Sequence, residues 1–113
     1  MRYMGMIAAV AASLLVSITG ACAASAEKGR VAFREKGCWQ CHGYEGQGGA
    51  NGLTLARTQL PLEAVDVFVR NTDGPMPPFS KKMLSDEDLA DIYAFLSAQP
   101  VPADPKTIPL LAH

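Results

Sequence analysis

Apolar residues are distributed along this chain in three ways, and each predicts a different kind of segment. From Met4 to Ile18 they run almost without a break, and no charge occurs between Arg2 and Glu27. A stretch with no polar face does not suit a surface helix of a small globular domain. From Leu89 the spacing changes, with Leu89, Ile92, Tyr93 and Leu96 falling at i, i+3, i+4 and i+7, the period of one helical face. Ser85 precedes Asp86, Glu87 and Asp88, which supplies a capping-box-like start and negative charge at the positive end of the helix dipole. Pro100 ends that helix. An earlier helix is predicted from about Ala26 to Lys36, stopped by Gly37, with Gly29 and Phe33 one turn apart so that the small residue admits a close neighbour. Between the two, Pro61 to Asn71 reads as a third helix with Pro at N1 and Leu62, Val65 and Val69 on one face. The alternation of Val65, Val67 and Val69 also fits a strand, and so short a window leaves both readings open.

The rest of the pattern is irregular. Gly43 to Gly52 holds five glycines in ten residues and predicts a loop. That loop is either a flexible linker or a bend that brings a backbone carbonyl near Gly52 to the outer nitrogen of His42. Asp73 to Phe79 carries three prolines and cannot be helical. Pro100 to His113 has four prolines in 14 residues and is expected to run extended over the surface or toward a partner.

The apolar start has the form of an export signal: Arg2, the uninterrupted run, then small residues from Gly20 to Ala26 with Ala24-Ser25-Ala26 as a cleavage site. The expected organisation is a signal peptide over residues 1–26, a folded domain over 27–99 and a proline-rich tail over 100–113, with a periplasmic destination. Two alternatives would tie the chain to a membrane. Cys22 after Thr19-Gly20-Ala21 loosely resembles a lipidation site, and the 24 uncharged residues could span a bilayer if uncleaved.

Composition then narrows the function. The chain of 113 residues is 49% hydrophobic, but much of that lies in the leader. Residues 27–113 carry nine basic and eleven acidic side chains, so there is no basic stripe for a phosphate backbone and no nucleic-acid partner is expected.

Beyond the leader only two cysteines remain, in Cys38-Trp39-Gln40-Cys41-His42. C-x-x-C-H is the attachment pattern of a c-type haem. Two thiols three residues apart share a helical face and can each add to a vinyl group of one porphyrin, and the next residue, His42, turns its imidazole to the iron. A disulfide, a thioredoxin-like couple and a zinc site are the alternatives. No strand-helix-strand pattern surrounds residue 38, as a thioredoxin-like couple requires, and His113 is the one other His or Cys available to zinc. Trp39 and Tyr44 beside the motif are expected to pack rather than relay electrons.

The second axial ligand follows from a short set of candidates: Met76, Met83 and His113. Met76 lies in Gly74-Pro75-Met76-Pro77-Pro78, where the prolines have already restricted the backbone, so a weak thioether ligand is presented at low entropic cost. Met83 has no such frame and reads as packing. The expected site is Cys38 and Cys41 for attachment, with His42 and Met76 on the iron.

With C-W-Q-C-H near the start, Gly-Pro-Met-Pro-Pro-Phe downstream and Leu-Ser-Asp-Glu-Asp-Leu-Ala-Asp-Ile-Tyr-Ala-Phe-Leu after it, the sequence resembles class I cytochromes c across residues 27–99. The resemblance implies an all-α fold of three to five short helices around one covalent haem c, with the first and last helices crossing near Gly29 and Phe33 against Ile92 and Phe95. It also implies ligation by His42 and Met76. The Val-Arg-Asn run and the Met-Pro-Pro-Phe segment are most similar to cytochromes that serve periplasmic dehydrogenases, such as the cytochrome subunit of p-cresol methylhydroxylase. Many relatives have Gly-Pro where this chain has Gly52-Leu53, a change that removes a stiffening proline beside His42.

These readings lead to a periplasmic one-electron carrier that is not an enzyme and takes no small-molecule substrate. It would accept electrons from a dehydrogenase and pass them to a terminal oxidase or another cytochrome. The alternatives are a permanent cytochrome subunit of a dehydrogenase complex, and a haem peroxidase or gas-binding protein, for which no spare distal His lies within residues 27–99. Lys81, Lys82, Arg57 and Arg70 are candidate docking cations and equally ordinary solvated surface.

Overall fold

The computed structural model describes residues 23–111; most of the expected leader, Cys22 and His113 lie outside them. Among the described residues there are four α-helices and no strand, as the all-α expectation requires. They are α1 (Ala26–Glu35), α2 (Trp39–His42), α3 (Leu62–Asn71) and α4 (Asp86–Ser97). A single 3-10 turn, Pro105–Thr107, interrupts the otherwise irregular and exposed tail.

Local chemistry accounts for the helix ends. Ser25 caps α1 by accepting a hydrogen bond from the Lys28 amide, and Ser85 caps α4 by accepting one from the Asp88 amide. Past the end of α1, Gly37 takes a positive φ of 78° that other residues rarely adopt. The chain therefore turns sharply, and the Cys38 amide still reaches the Phe33 carbonyl at 3.1 Å. The segment 61–71 is helical, not a strand, but the helix begins at Leu62, one residue after the expected start, so that Pro61 is the N-cap and not the first helical residue. Val69 is buried while Val67 is 63% exposed, so the helical face of Leu62, Val65 and Val69 governs over the valine alternation.

The core lies where α1 crosses α4. Phe33 is fully buried and meets Phe95 with ring centroids 5.5 Å apart, and Ala32, Leu89, Ile92 and Leu96 complete the contact. Gly29 allows the approach: a Cβ placed there would stand 1.9 Å from the Asp91 carbonyl oxygen and 2.8 Å from the Ile92 nitrogen. Tyr93, on the edge of the expected apolar face, is half-buried and donates its hydroxyl to the Leu60 carbonyl at 2.9 Å. Asp91 is the one buried charged side chain among the described residues, and it accepts the Ser25 amide at 2.6 Å, tying the first capped residue to the last helix. The exposed pair Lys28–Glu87 and the half-buried pair Lys36–Asp88 also bridge the two helices, but at 3.9 and 3.7 Å they are long contacts that contribute little.

Alanine is normally the better helix former, so Gly29→Ala on an unconstrained helix would stabilise. Here the sign reverses. The methyl group must push α1 off the α4 backbone, and chemical denaturation of the haem-loaded protein is expected to show a loss of about 2–3 kcal/mol, the scale of an overpacked core.

Candidate functional site

The five-residue motif occupies the turn that leaves α1 and the whole of α2. Cys41 and His42 therefore project from one short helix and Cys38 from its N-cap. Cys38 is half-buried and packs against the α1–α4 core, whereas Cys41 is exposed. Burial pushes the Cys38 thiol up from its ordinary value, which keeps it a neutral S–H at neutral pH. The two thiols are free, so they form no disulfide. Among the described residues no group of three His, Cys, Asp or Glu side chains converges as a metal cage, which leaves zinc without a site there.

The glycine-rich loop is hydrogen-bonded rather than free. Gly48 donates to the His42 carbonyl at 2.7 Å, Gly49 donates to the Gly52 carbonyl at 3.0 Å, and Leu55 and Ala56 both donate to the Gly46 carbonyl. Gly46 lies at φ 69° against Leu96, leaving no room for a side chain. Arg57 then donates its amide to the Leu96 carbonyl at 2.8 Å, so the loop is docked on α4. Its effect on the histidine is specific. His42 Nδ1 lies 2.7 Å from the Leu53 carbonyl oxygen. A carbonyl can only accept, so Nδ1 carries the proton and the lone pair is left on Nε2. The expected carbonyl partner exists, one residue beyond Gly52. Gly52 itself is required for another reason: a Cβ there would meet the Cys41 carbonyl at 2.5 Å and His42 Nδ1 at 3.0 Å. Leu53 makes this bond without the proline that the resemblance leads one to expect at its position.

Trp39 and Tyr44 stack at 4.7 Å with an 11° interplanar angle, and the Arg34 guanidinium sits 5.6 Å from the Tyr44 ring centroid. Together with the contact of Trp39 with the core, this supports the packing role read from sequence.

Met76 is half-buried and packs against the same core that Cys38 touches, while Met83 is 54% exposed. The two methionines thus differ in setting as their flanking residues predict. The loop bearing Met76 is held by Phe79, whose amide donates to the Val69 carbonyl at 2.8 Å, and by Arg70. Arg70 corrects its reading as a docking cation: its side chain is only 12% exposed and reaches inward to carbonyls and carboxylates. Of the other candidate cations, Lys81 pairs with Asp86 at 2.8 Å. The Lys81 hydrogen bond, with Arg70 adding to it, holds the Asp86 carboxyl below the usual carboxylate range. The i, i+4 spacing of Asp66 and Arg70 was available in the sequence as a signal for this arrangement.

The residues present fit a porphyrin. Two free thiols and an oriented imidazole share one turn, and a thioether packs against the same core as Cys38. Leu53, Leu60, Val67 and Phe68, all between His42 and Met76 in sequence, expose more than half of their surface.

The family model described as cytochrome c oxidase, cbb3-type, subunit III matches residues 24–96. No curated protein and no solved structure gives a match. The chain belongs to this family: it is a small all-α cytochrome c domain with covalently bound c-type haem, a carrier of electrons between redox proteins.

Proposed function

We propose that the protein is an exported one-electron carrier whose haem is attached at Cys38 and Cys41 and ligated by His42 and Met76, and that it does not itself transform a substrate. The observation that carries the reading is the bond from His42 Nδ1 to the Leu53 carbonyl, which frees Nε2 to donate and makes the imidazole a stronger ligand. When bound, the haem supplies reversible exchange of one electron at iron. The chain does the rest. Cys38 and Cys41 would hold the haem through thioethers, each thiol adding across one vinyl group with its hydrogen passing to the neighbouring vinyl carbon. His42 would bind the iron in a fixed tautomer. Met76, from a loop braced by Pro75, Pro77 and Pro78, would supply the second ligand, and with both in place no site would be open for peroxidase or gas-binding chemistry. Donor and acceptor are read as a periplasmic dehydrogenase and a terminal oxidase or second cytochrome.

Export by removal of the leader is part of this proposal. Because Ser25 caps α1 and bonds Asp91, a cut that spares Ser25, for instance after Ala21-Cys22-Ala23, preserves the first helix better than one after Ala26. Intact mass of the periplasmic form decides between them, and a mass that begins at Glu27 excludes the upstream cut. The same measurement is expected to include one haem, and Cys38→Ala or Cys41→Ala is expected to hinder its attachment.

Met76→Ala is expected to lower the reduction potential on the order of 0.1 V or more, within the roughly 0.8 V that axial ligation spans, and to let carbon monoxide bind the ferrous protein. Met83→Ala is expected to leave both unchanged. Equal effects from the two, measured by redox titration and carbon monoxide difference spectra, would remove Met76 from the site.

Gly52→Ala tests the other side. Its Cβ displaces the loop from Cys41 and His42, weakening the Leu53 bond and the donation that favours ferric iron. Redox titration is expected to show a higher potential, the opposite sign to Met76→Ala.

A further inference from the structure

We propose that Arg70 is the positioning residue for the Met76 ligand: it clamps the segment behind the methionine to α3 and so sets how firmly the thioether is held on iron. This rests on the ligation read above and adds to it a cause outside the proline-rich loop.

Four of the five guanidinium N–H groups are engaged. Nε donates to Asp66 Oδ1 at 3.0 Å, Nη1 donates to the Phe79 carbonyl at 3.0 Å and to the Leu84 carbonyl at 2.7 Å, and Nη2 donates to Asp86 Oδ1 at 3.0 Å. Asp66 belongs to the helix of Arg70 itself and steadies the side chain from one turn away. The other three acceptors lie past Met76 in sequence. Phe79 and Leu84 are the two ends of a turn in which the Met83 and Leu84 amides both donate to the Ser80 carbonyl at 3.0 Å. One planar fork therefore ties α3 to both ends of that turn and to the first residue of α4. Lysine cannot reproduce this, because a single ammonium cannot span acceptors laid out for a guanidinium. With the side chain only 12% exposed, removing it leaves two carbonyls short of a partner and leaves the bond of the Phe79 amide to the Val69 carbonyl as the remaining backbone anchor of the Met76 loop on α3.

The test compares haem-loaded Arg70→Gln, Arg70→Lys and Met76→Ala with Ile92→Val, a core variant remote from the loop in sequence. Two readouts report the iron–sulfur bond rather than the fold: the charge-transfer absorption from methionine sulfur to ferric iron, and the affinity of ferric protein for added imidazole, which must displace the thioether. Arg70→Gln is expected to weaken the absorption and tighten imidazole binding about 10- to 100-fold, the equivalent of one or two charge-assisted hydrogen bonds. Arg70→Lys is expected to give a smaller shift in the same direction, and Ile92→Val to lower Tm without moving either readout. Should Arg70→Gln fail to accumulate with haem, Arg70→Lys carries the test, and wild-type values in that variant overturn the proposal. It is also overturned if Ile92→Val changes imidazole affinity as much per degree of Tm lost, or if Arg70→Gln alters only the salt dependence of electron exchange with a partner, which would return Arg70 to a docking role. If Met76→Ala itself leaves the absorption unchanged, methionine ligation is wrong, and the role of Arg70 falls with it.

Discussion

The contact of α1 with the backbone of α4 at Gly29 is the constraint from which the rest of the molecule is built. Because no side chain intervenes, Phe33 and Phe95 meet in the core, and the Asp91 carboxylate reaches the Ser25 amide. The end of α1 is thereby fixed, and the motif hangs from it through the bond of the Cys38 amide to the Phe33 carbonyl. On the far side α4 receives the glycine loop, with Leu96 packed on Gly46 and its carbonyl bound to the Arg57 amide. His42 is oriented by that same loop. A displacement of α4 would thus disturb the turn that carries the thiols and the carbonyl that aims the imidazole.

The size of the core gives the cofactor a structural part. Among the described residues eight hydrophobic side chains are buried, a small number against a conformational entropy of about 1–2 kcal/mol per ordered residue. Cys38 and Met76 pack at the margin of that core, and α3 contributes one buried residue, Val69. The segments between His42 and Met76 instead expose Leu53, Leu60, Val67 and Phe68. A large apolar ring system attached at the margin of so small a core adds burial that the polypeptide alone supplies sparingly, which couples folding to cofactor retention. The covalent thioethers make that coupling permanent, whereas axial ligation alone would leave it reversible.

The elements governed by strong local chemistry were legible in the sequence. Ser85 with its acidic turn, the Gly37 stop, the small residue at Gly29 and the C-x-x-C-H motif each have one dominant physical reading, and the structure bears out the first three. Less legible were features that depend on which distant groups meet. Periodicity left 61–71 ambiguous between helix and strand, because Val67 is apolar yet faces outward. The histidine's acceptor was predictable as a carbonyl near Gly52, but its identity as Leu53 depends on how the Gly49–Gly52 turn closes. Arg70 read as a surface cation because its charge is visible in sequence and its carbonyl partners are not. Asp91 was hidden for the same reason: its partner is a backbone amide 66 positions away.

The Met76 segment shows why local and global restraint must be considered separately. Its prolines fix φ and deprive the loop of alternative conformations, but three prolines in a row of seven residues say nothing about where the loop sits relative to the rest of the protein. A stiff segment attached at one end is still free to swing. Position comes from the anchors that follow: Phe79 on Val69, and the guanidinium of Arg70 across Phe79, Leu84 and Asp86. A thioether is a weak ligand and cannot itself draw a loose loop into place. On the proposed ligation by Met76 the backbone has to arrive already both stiff and located, and the prolines of the loop and the anchors on α3 would meet those two requirements separately.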